Sequence, residues 1–100
     1  MSQRSDNRAP IHPGEVLSKR FLVPLGLTQR DLADGIRVPY QRVNEIVNGR
    51  RGITASTALR LAKYFGYSDE FWMYIQLRWD LDQARKSHQP GLEEIQPVRT

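Results

Sequence analysis

Between Thr28 and Gly49, TQRDLADGIRVPYQRVNEIVNG, amides, guanidinium groups and a phenol recur at spacings that gather them on one side of a helix. On a wheel of about 100° per residue begun at Pro39, Gln41, Asn44, Glu45 and Asn48 fall together, with Tyr40 and Arg42 on the flanks. Such groups suit base edges in a major groove. Arg42 matches guanine O6 and N7, and Gln41 or Asn44 matches adenine N6 and N7. Glu45 is the odd member, because phosphates repel it unless it accepts from cytosine N4 or orients Arg42, three residues earlier. Arg50 and Arg51, just past the helix, are placed to meet the sugar-phosphate backbone, and Gln29 to reach a phosphate from the preceding helix's N-terminus. The expected DNA-binding set is Gln29, Tyr40, Gln41, Arg42, Asn44, Asn48, Arg50 and Arg51.

A polar face alone describes any solvated surface helix. What singles out this window is the apolar pattern behind it. Leu32, Ala33 and Ile36 share one face of a first helix, and Val43, Ile46 and Val47 share one face of a second, at three- and four-residue spacings. Ala33 is small where two steeply crossing helices come closest. Thr28 is expected to cap the first helix, with Leu27 stapled onto its first turn. Asn48-Gly49 supplies the chain reversal after the second. Together these predict a helix-turn-helix with double-stranded DNA as partner.

Three further helices complete the expected fold. One begins near Pro13 and stops before Pro24-Leu25-Gly26, with Val16, Leu17, Phe21 and Leu22 as its apolar stripe. Another is capped by Thr54 and ended by Gly66, with Ala58, Leu59, Leu61, Ala62 and Phe65 inward. The last is capped by Ser68 and runs from Asp69 to about Arg85. It carries two apolar faces: Phe71, Trp72, Ile75 and Trp79 on one, and Met73, Tyr74, Leu77, Leu81 and Ala84 on the other, with Gln76, Asp80 and Gln83 in a polar strip between them. Either one core absorbs both, or the second face is a homodimer interface. A two-fold dimer would hold two reading helices about 34 to 36 Å apart, one turn of DNA. The fold class is thus all-α with five helices: residues 1–10 a flexible N-terminal segment, 11–86 the helix-turn-helix domain, and 87–100 an extended or disordered C-terminal tail, or an arm settling on a partner surface.

Composition narrows the classes. One hundred residues without internal repeats make one small domain, and 39% apolar with 26% charged residues fit an ordinary globule. The net charge of +4 favours a polyanion without demanding one, and two of those four charges fall between Thr28 and Gly52. There is no cysteine, and His12 and His88 lie in no metal or catalytic spacing, so both are expected at the surface and no metal or cofactor is implied. Asp80 and Asp82, two apart on a helix, diverge and cannot share a substrate; no enzyme is expected. Without a signal-peptide core or a bilayer-length apolar run, the chain is expected in the cytoplasm, with no membrane partner.

The segments HPGE, RVNEIVNGRRGIT and the FW pair of the last helix occur together over roughly Ile11 to Arg85. In these the chain resembles the HigA family of antitoxins, within the wider Xre/Cro-type, lambda-repressor-like helix-turn-helix class. The resemblance implies a dimeric repressor of its own operon that also neutralises a HigB-type toxin, an mRNA-cleaving ribonuclease. It maps the family's reading helix onto Tyr40 to Asn48 and its opening glutamine onto Gln29. Two departures stand out: Arg37 occupies a position commonly given to glycine, and Pro39 one given to a Ser or Thr cap. Gly35 is expected to absorb some of the bend. A stand-alone repressor without a toxin, or a toxin-inhibiting module that binds DNA weakly, are the alternatives.

Overall fold

A computed structural model describes residues 9–98, and every regular element among them is helical. The expectation of a flexible segment over residues 1–10 lies outside the described residues except at Ala9 and Pro10. Five helices follow: α1 over residues 13–25, α2 Gln29–Ile36, α3 Tyr40–Val47, α4 Ala55–Phe65 and α5 Asp69–Glu93.

α1 starts where His12 Nδ1 accepts a hydrogen bond from the Gly14 N–H at 2.9 Å, with Pro13 in the first helical position. His12 is therefore half-buried and structural, with its ring edge-on to Trp79 at 5.1 Å between centroids, and not the surface residue expected. The helix also runs further than its prolines suggested, through Pro24 to Leu25. A π turn at Ser18–Leu22, with the Val23 N–H reaching back five residues to the Ser18 carbonyl, widens the backbone just ahead of Pro24. A proline ring otherwise collides with the carbonyl four residues behind it. Gly26, at φ 67°, closes the helix as Leu27 N–H bonds the Leu22 carbonyl at 2.9 Å.

The core gathers Leu17 and Leu22 from α1, Leu32, Ala33 and Ile36 from α2, Val43 and Ile46 from α3, Ile53, Ala58 and Leu61, around a wholly enclosed Trp72. Phe21, Phe65 and Phe71 pack their rings on Trp72 at 4.8 to 6.3 Å. Leu59, expected inward, is 58% exposed. The buried stripe of α4 is centred on Thr57, Ala58 and Leu61, and the next residue after Ala58 turns about 100° away from it.

Two corrections concern α5. Gln76, expected in the polar strip, is only 7% exposed: its Oε1 accepts from the Ile53 N–H at 2.7 Å and its Nε2 donates to Asp80 Oδ1 at 2.9 Å. It ties the segment after α3 to the last helix. A side chain at Gly52 would press on this amide, since a Cβ there would lie 2.8 Å from Nε2. The expected tail from residue 87 is instead helical to Glu93, and only residues 95–98 lack regular structure. Pro90 leaves the Lys86 carbonyl without its usual donor, and every described residue from Gln83 onward is exposed, so that carbonyl is not shut away from solvent. Pairs at i, i+4, Lys86 with Asp82 at 3.0 Å and Gln89 with Glu93 at 3.3 Å, support the extension.

Candidate nucleic-acid interface

Thr28 and Asp31 close a reciprocal box at the start of α2: Asp31 N–H donates to Thr28 Oγ1 and Thr28 N–H to Asp31 Oδ2, both at 2.9 Å. The backbone N–H bond holds the Asp31 carboxyl below its usual pKa. Ala33, 2% exposed, lies with Leu32, Ile36, Val43 and Ile46 where α2 meets α3. Behind α3, Gly14 lets α1 touch the Ile46 carbonyl, a space any Cβ would occupy.

The turn carries the strain that Arg37 announced. Arg37 is left-handed, φ 62° and ψ 50°, and it is the one such non-glycine among the described residues. That conformation costs roughly 1 to 2 kcal/mol for a side-chain-bearing residue. Arg60 of α4 offsets part of it, donating from Nη1 to the Ile36 carbonyl at 2.8 Å. Pro39 precedes α3 with φ −62° and no side-chain cap. Gly35 does not absorb the bend. It sits inside α2 because a Cβ there would run into the Tyr64 ring.

With Val43 and Ile46 buried, Tyr40, Gln41, Asn48, Arg50 and Arg51 are exposed and Arg42, Asn44 and Glu45 partly so. Asn44 Nδ2 donates to Gln29 Oε1 at 3.0 Å, joining the start of α2 to the middle of α3. Glu45 does not orient Arg42. Its partners are Arg51, whose Nε donates at 2.8 Å, and Gln41, whose Nε2 lies 3.4 Å away. The Arg51 bond is the main reason the Glu45 carboxyl is held below its usual pKa, with Gln41 and the charge of Arg50 adding to it against desolvation. Arg42 and Arg50 make no side-chain hydrogen bond or ion pair among the described residues.

Two residues that support the face went unnoticed in the sequence, one at its edge and one behind the turn. Arg30 places its guanidinium 4.6 Å from the centre of the Tyr40 ring, and Arg60 braces the turn. Both contacts join different helices, so no local spacing announces them. Shallow recesses flank α3, one walled by Thr28, Gln29, Arg30 and Tyr40, the other by Pro39, Gln41, Arg42, Glu45 and Arg51. A roomier concavity of about 610 Å³ beside Leu59, Arg60 and Tyr64 lies off this face.

On α5, Met73, Tyr74, Leu77, Leu81 and Ala84 are exposed, whereas Trp72 is enclosed and Phe71, Ile75 and Trp79 half-buried. One core thus covers one apolar face and not the other. Among the described residues there is no cluster of three or more His, Asp or Glu able to hold a metal, and no helix is long and apolar enough to cross a membrane.

The family profile described as Helix-turn-helix matches residues 19–72. Virulence-associated protein I of Dichelobacter nodosus is 47% identical over 90% of this chain and 82% of its own length. Antitoxin HigA-1 of Vibrio cholerae is 35% identical over 95% of this chain and 90% of its own. The Pseudomonas aeruginosa antitoxin HigA, solved with the higBA promoter, superposes with a TM-score of 0.86 at 38% identity, covering 90% of this chain and 99% of that one. The chain therefore belongs to the Xre-type helix-turn-helix class and, within it, to the HigA family of antitoxins.

Proposed function

We propose that this antitoxin binds its own operator as a homodimer in the cytoplasm and neutralises a HigB-type ribonuclease. The observation that carries the DNA half is the orientation of α3: Val43 and Ile46 are buried, so Gln41, Arg42 and Asn44 stand on the solvent side. Lying in a major groove, the helix presents the unpaired Arg42 guanidinium to guanine O6 and N7 and Gln41 to adenine. Gln29 and Asn44, already bonded to each other at 3.0 Å, act as one unit reading an edge beside a phosphate. Arg50, free of any carboxylate among the described residues, takes the backbone role, and Arg30 with Tyr40 flanks the strand near the N-terminus of α2. Pairing through Met73, Tyr74, Leu77, Leu81 and Ala84 covers the second face of α5 and sets two reading helices about one DNA turn apart. The toxin half rests on family membership and the likeness to Antitoxin HigA-1.

Electrophoretic shift on the chain's own upstream DNA, with and without the neighbouring gene product, tests both halves. A shifted band of two chains per site, further retarded by the neighbouring product, is expected. Arg42→Ala should weaken the operator complex by about 1 to 3 kcal/mol and relax one base pair. Equal affinity for operator and random duplex in the wild type would remove the operator role; failure to capture the neighbouring product would leave a stand-alone repressor.

A further inference from the structure

We infer that Glu45 sharpens sequence discrimination by restraint, holding Arg51 and Gln41 off duplexes that do not match. This rests on the operator-binding reading above. Glu45 is the one carboxylate in the recess formed by Pro39, Gln41, Arg42, Glu45 and Arg51, on the groove-facing side of α3. It engages Arg51 Nε at 2.8 Å and lies 3.4 Å from Gln41 Nε2. The Glu45 side chain is more covered than that of Arg51, 27% against 46% accessible, so the anion is the fixed partner and the guanidinium the tethered one.

The physical consequence concerns binding that is not sequence-specific. Attachment to random DNA comes from cations displacing counterions at phosphates, and each such contact steepens the dependence on salt. A guanidinium bonded to a carboxylate is neutralised as a phosphate ligand until that bond opens. The anion also meets a groove floor made mostly of acceptors, guanine O6 and N7, adenine N7 and thymine O4, and finds donors only at cytosine N4 and adenine N6. Glu45 therefore weakens attachment to arbitrary sequence by two routes. At a site offering an amino group its cost falls, and Arg51 and Gln41 are released together. The residue that looked misplaced on a DNA-facing helix widens the gap between operator and random sequence.

The test compares wild type, Glu45→Gln, Arg51→Ala and the double variant on the chain's upstream operator and a random duplex of equal length, by fluorescence anisotropy across a salt series. Glu45→Gln should tighten the random complex about five- to tenfold near 0.15 M salt and steepen its salt slope by about one unit. Operator affinity should rise less, so the ratio of the two falls. In the Arg51→Ala background the same substitution should leave the slope unchanged. A ratio that does not move, or a slope change that persists without Arg51, overturns the inference. A wild type binding neither duplex removes the operator reading and this inference with it, whereas an intact wild-type preference with an unmoved ratio overturns the inference alone. Since the Glu45–Arg51 pair borders solvent, the circular-dichroism melts of all four chains should differ little.

Discussion

α3 and α5 are both amphipathic, and they stand in opposite situations. α3 turns Val43 and Ile46 into a core that fully covers them and leaves amides and guanidinium groups outside. α5 buries Trp72 and Gln76 but leaves Tyr74 55% and Leu77 52% exposed on a second apolar face. Periodicity says which residues share a face. It does not say how many surfaces exist to cover the faces. α3 is eight residues long and lies against α1 and α2, so one stripe meets its neighbours and no second aliphatic face remains. α5 runs 25 residues, well past the rest of the domain, and its surplus apolar surface is the face proposed to pair with a second copy.

That contrast predicts two kinds of substitution on one helix. Trp72→Ala removes a wholly enclosed indole from beneath three phenyl rings and should cost about 3 to 5 kcal/mol in chemical unfolding, with molten near-ultraviolet spectra if the loss exceeds the domain's stability. Leu77→Asp should change unfolding of the dilute single chain by no more than about 0.5 kcal/mol, yet halve the mass seen in sedimentation. If both variants unfold alike at every concentration, the two faces are not distinct. Gly14→Ala comes next, at about 1 to 3 kcal/mol, because the added methyl meets the Ile46 carbonyl and backbone must move. Its operator affinity should fall too, since the displaced atom belongs to α3.

How far these features were legible from residue order follows from the range of each contact. Leu32, Ala33, Ile36, Val43 and Ile46 lie within a few residues of their partners along a helix, so the periodic pattern exposed them and they are buried. Thr28, Thr54 and Ser68 were legible as caps for the same reason, and each accepts the expected backbone bond. The failures are contacts between distant segments. Gln76 looked like part of a polar strip until Ile53, 23 residues away, claimed its amide. Glu45 was matched to Arg42 by helical spacing, whereas Arg51 reached it from beyond the helix end. Pro24 and Pro90 suggested breaks that a π turn and an exposed helix end respectively made tolerable. Arg30, which stacks on Tyr40 from α2, and Arg60, which braces the turn from α4, escaped the reading because their contacts too join different helices.

The turn offers a smaller test of the same distinction between local and distant support. Arg37 adopts a left-handed conformation where Gly26, Gly49 and Gly66 do so without a side chain. Arg37→Gly should stabilise the domain by about 0.5 to 1 kcal/mol, the relief of strain being partly cancelled by the freer unfolded chain. Arg60→Ala should cost about 0.5 to 1.5 kcal/mol by leaving the Ile36 carbonyl without its guanidinium. In the Arg37→Gly background Arg60→Ala should cost less than it does alone, because the brace then supports an unstrained turn. Strict additivity in urea melts would show that Arg60 is not bracing the strained residue.

The smallest effect is the pH dependence contributed by His12, which separates the α1–α5 contact from the reading unit. Burial lowers its pKa below the ordinary value of about 6.5, against the opposing pull of the Asp80 and Glu15 carboxylates. Its Nδ1 accepts from the Gly14 N–H, so a proton on that nitrogen breaks the cap of α1. With the folded pKa depressed, the unfolded chain takes up the proton first as pH falls. Stability should be unaffected above about pH 7, decline as pH drops below the unfolded value, and level off once the folded ring is also protonated. Asp31 and Glu45, both held low, lose their stabilising contribution only at more acid pH, when their carboxylates protonate. His12→Asn retains a side-chain acceptor for the cap but cannot titrate, so it should flatten the decline near neutrality and leave the acid limb in place. A slope near pH 6 that survives the substitution would assign it to another group and leave the His12 cap insensitive to protonation.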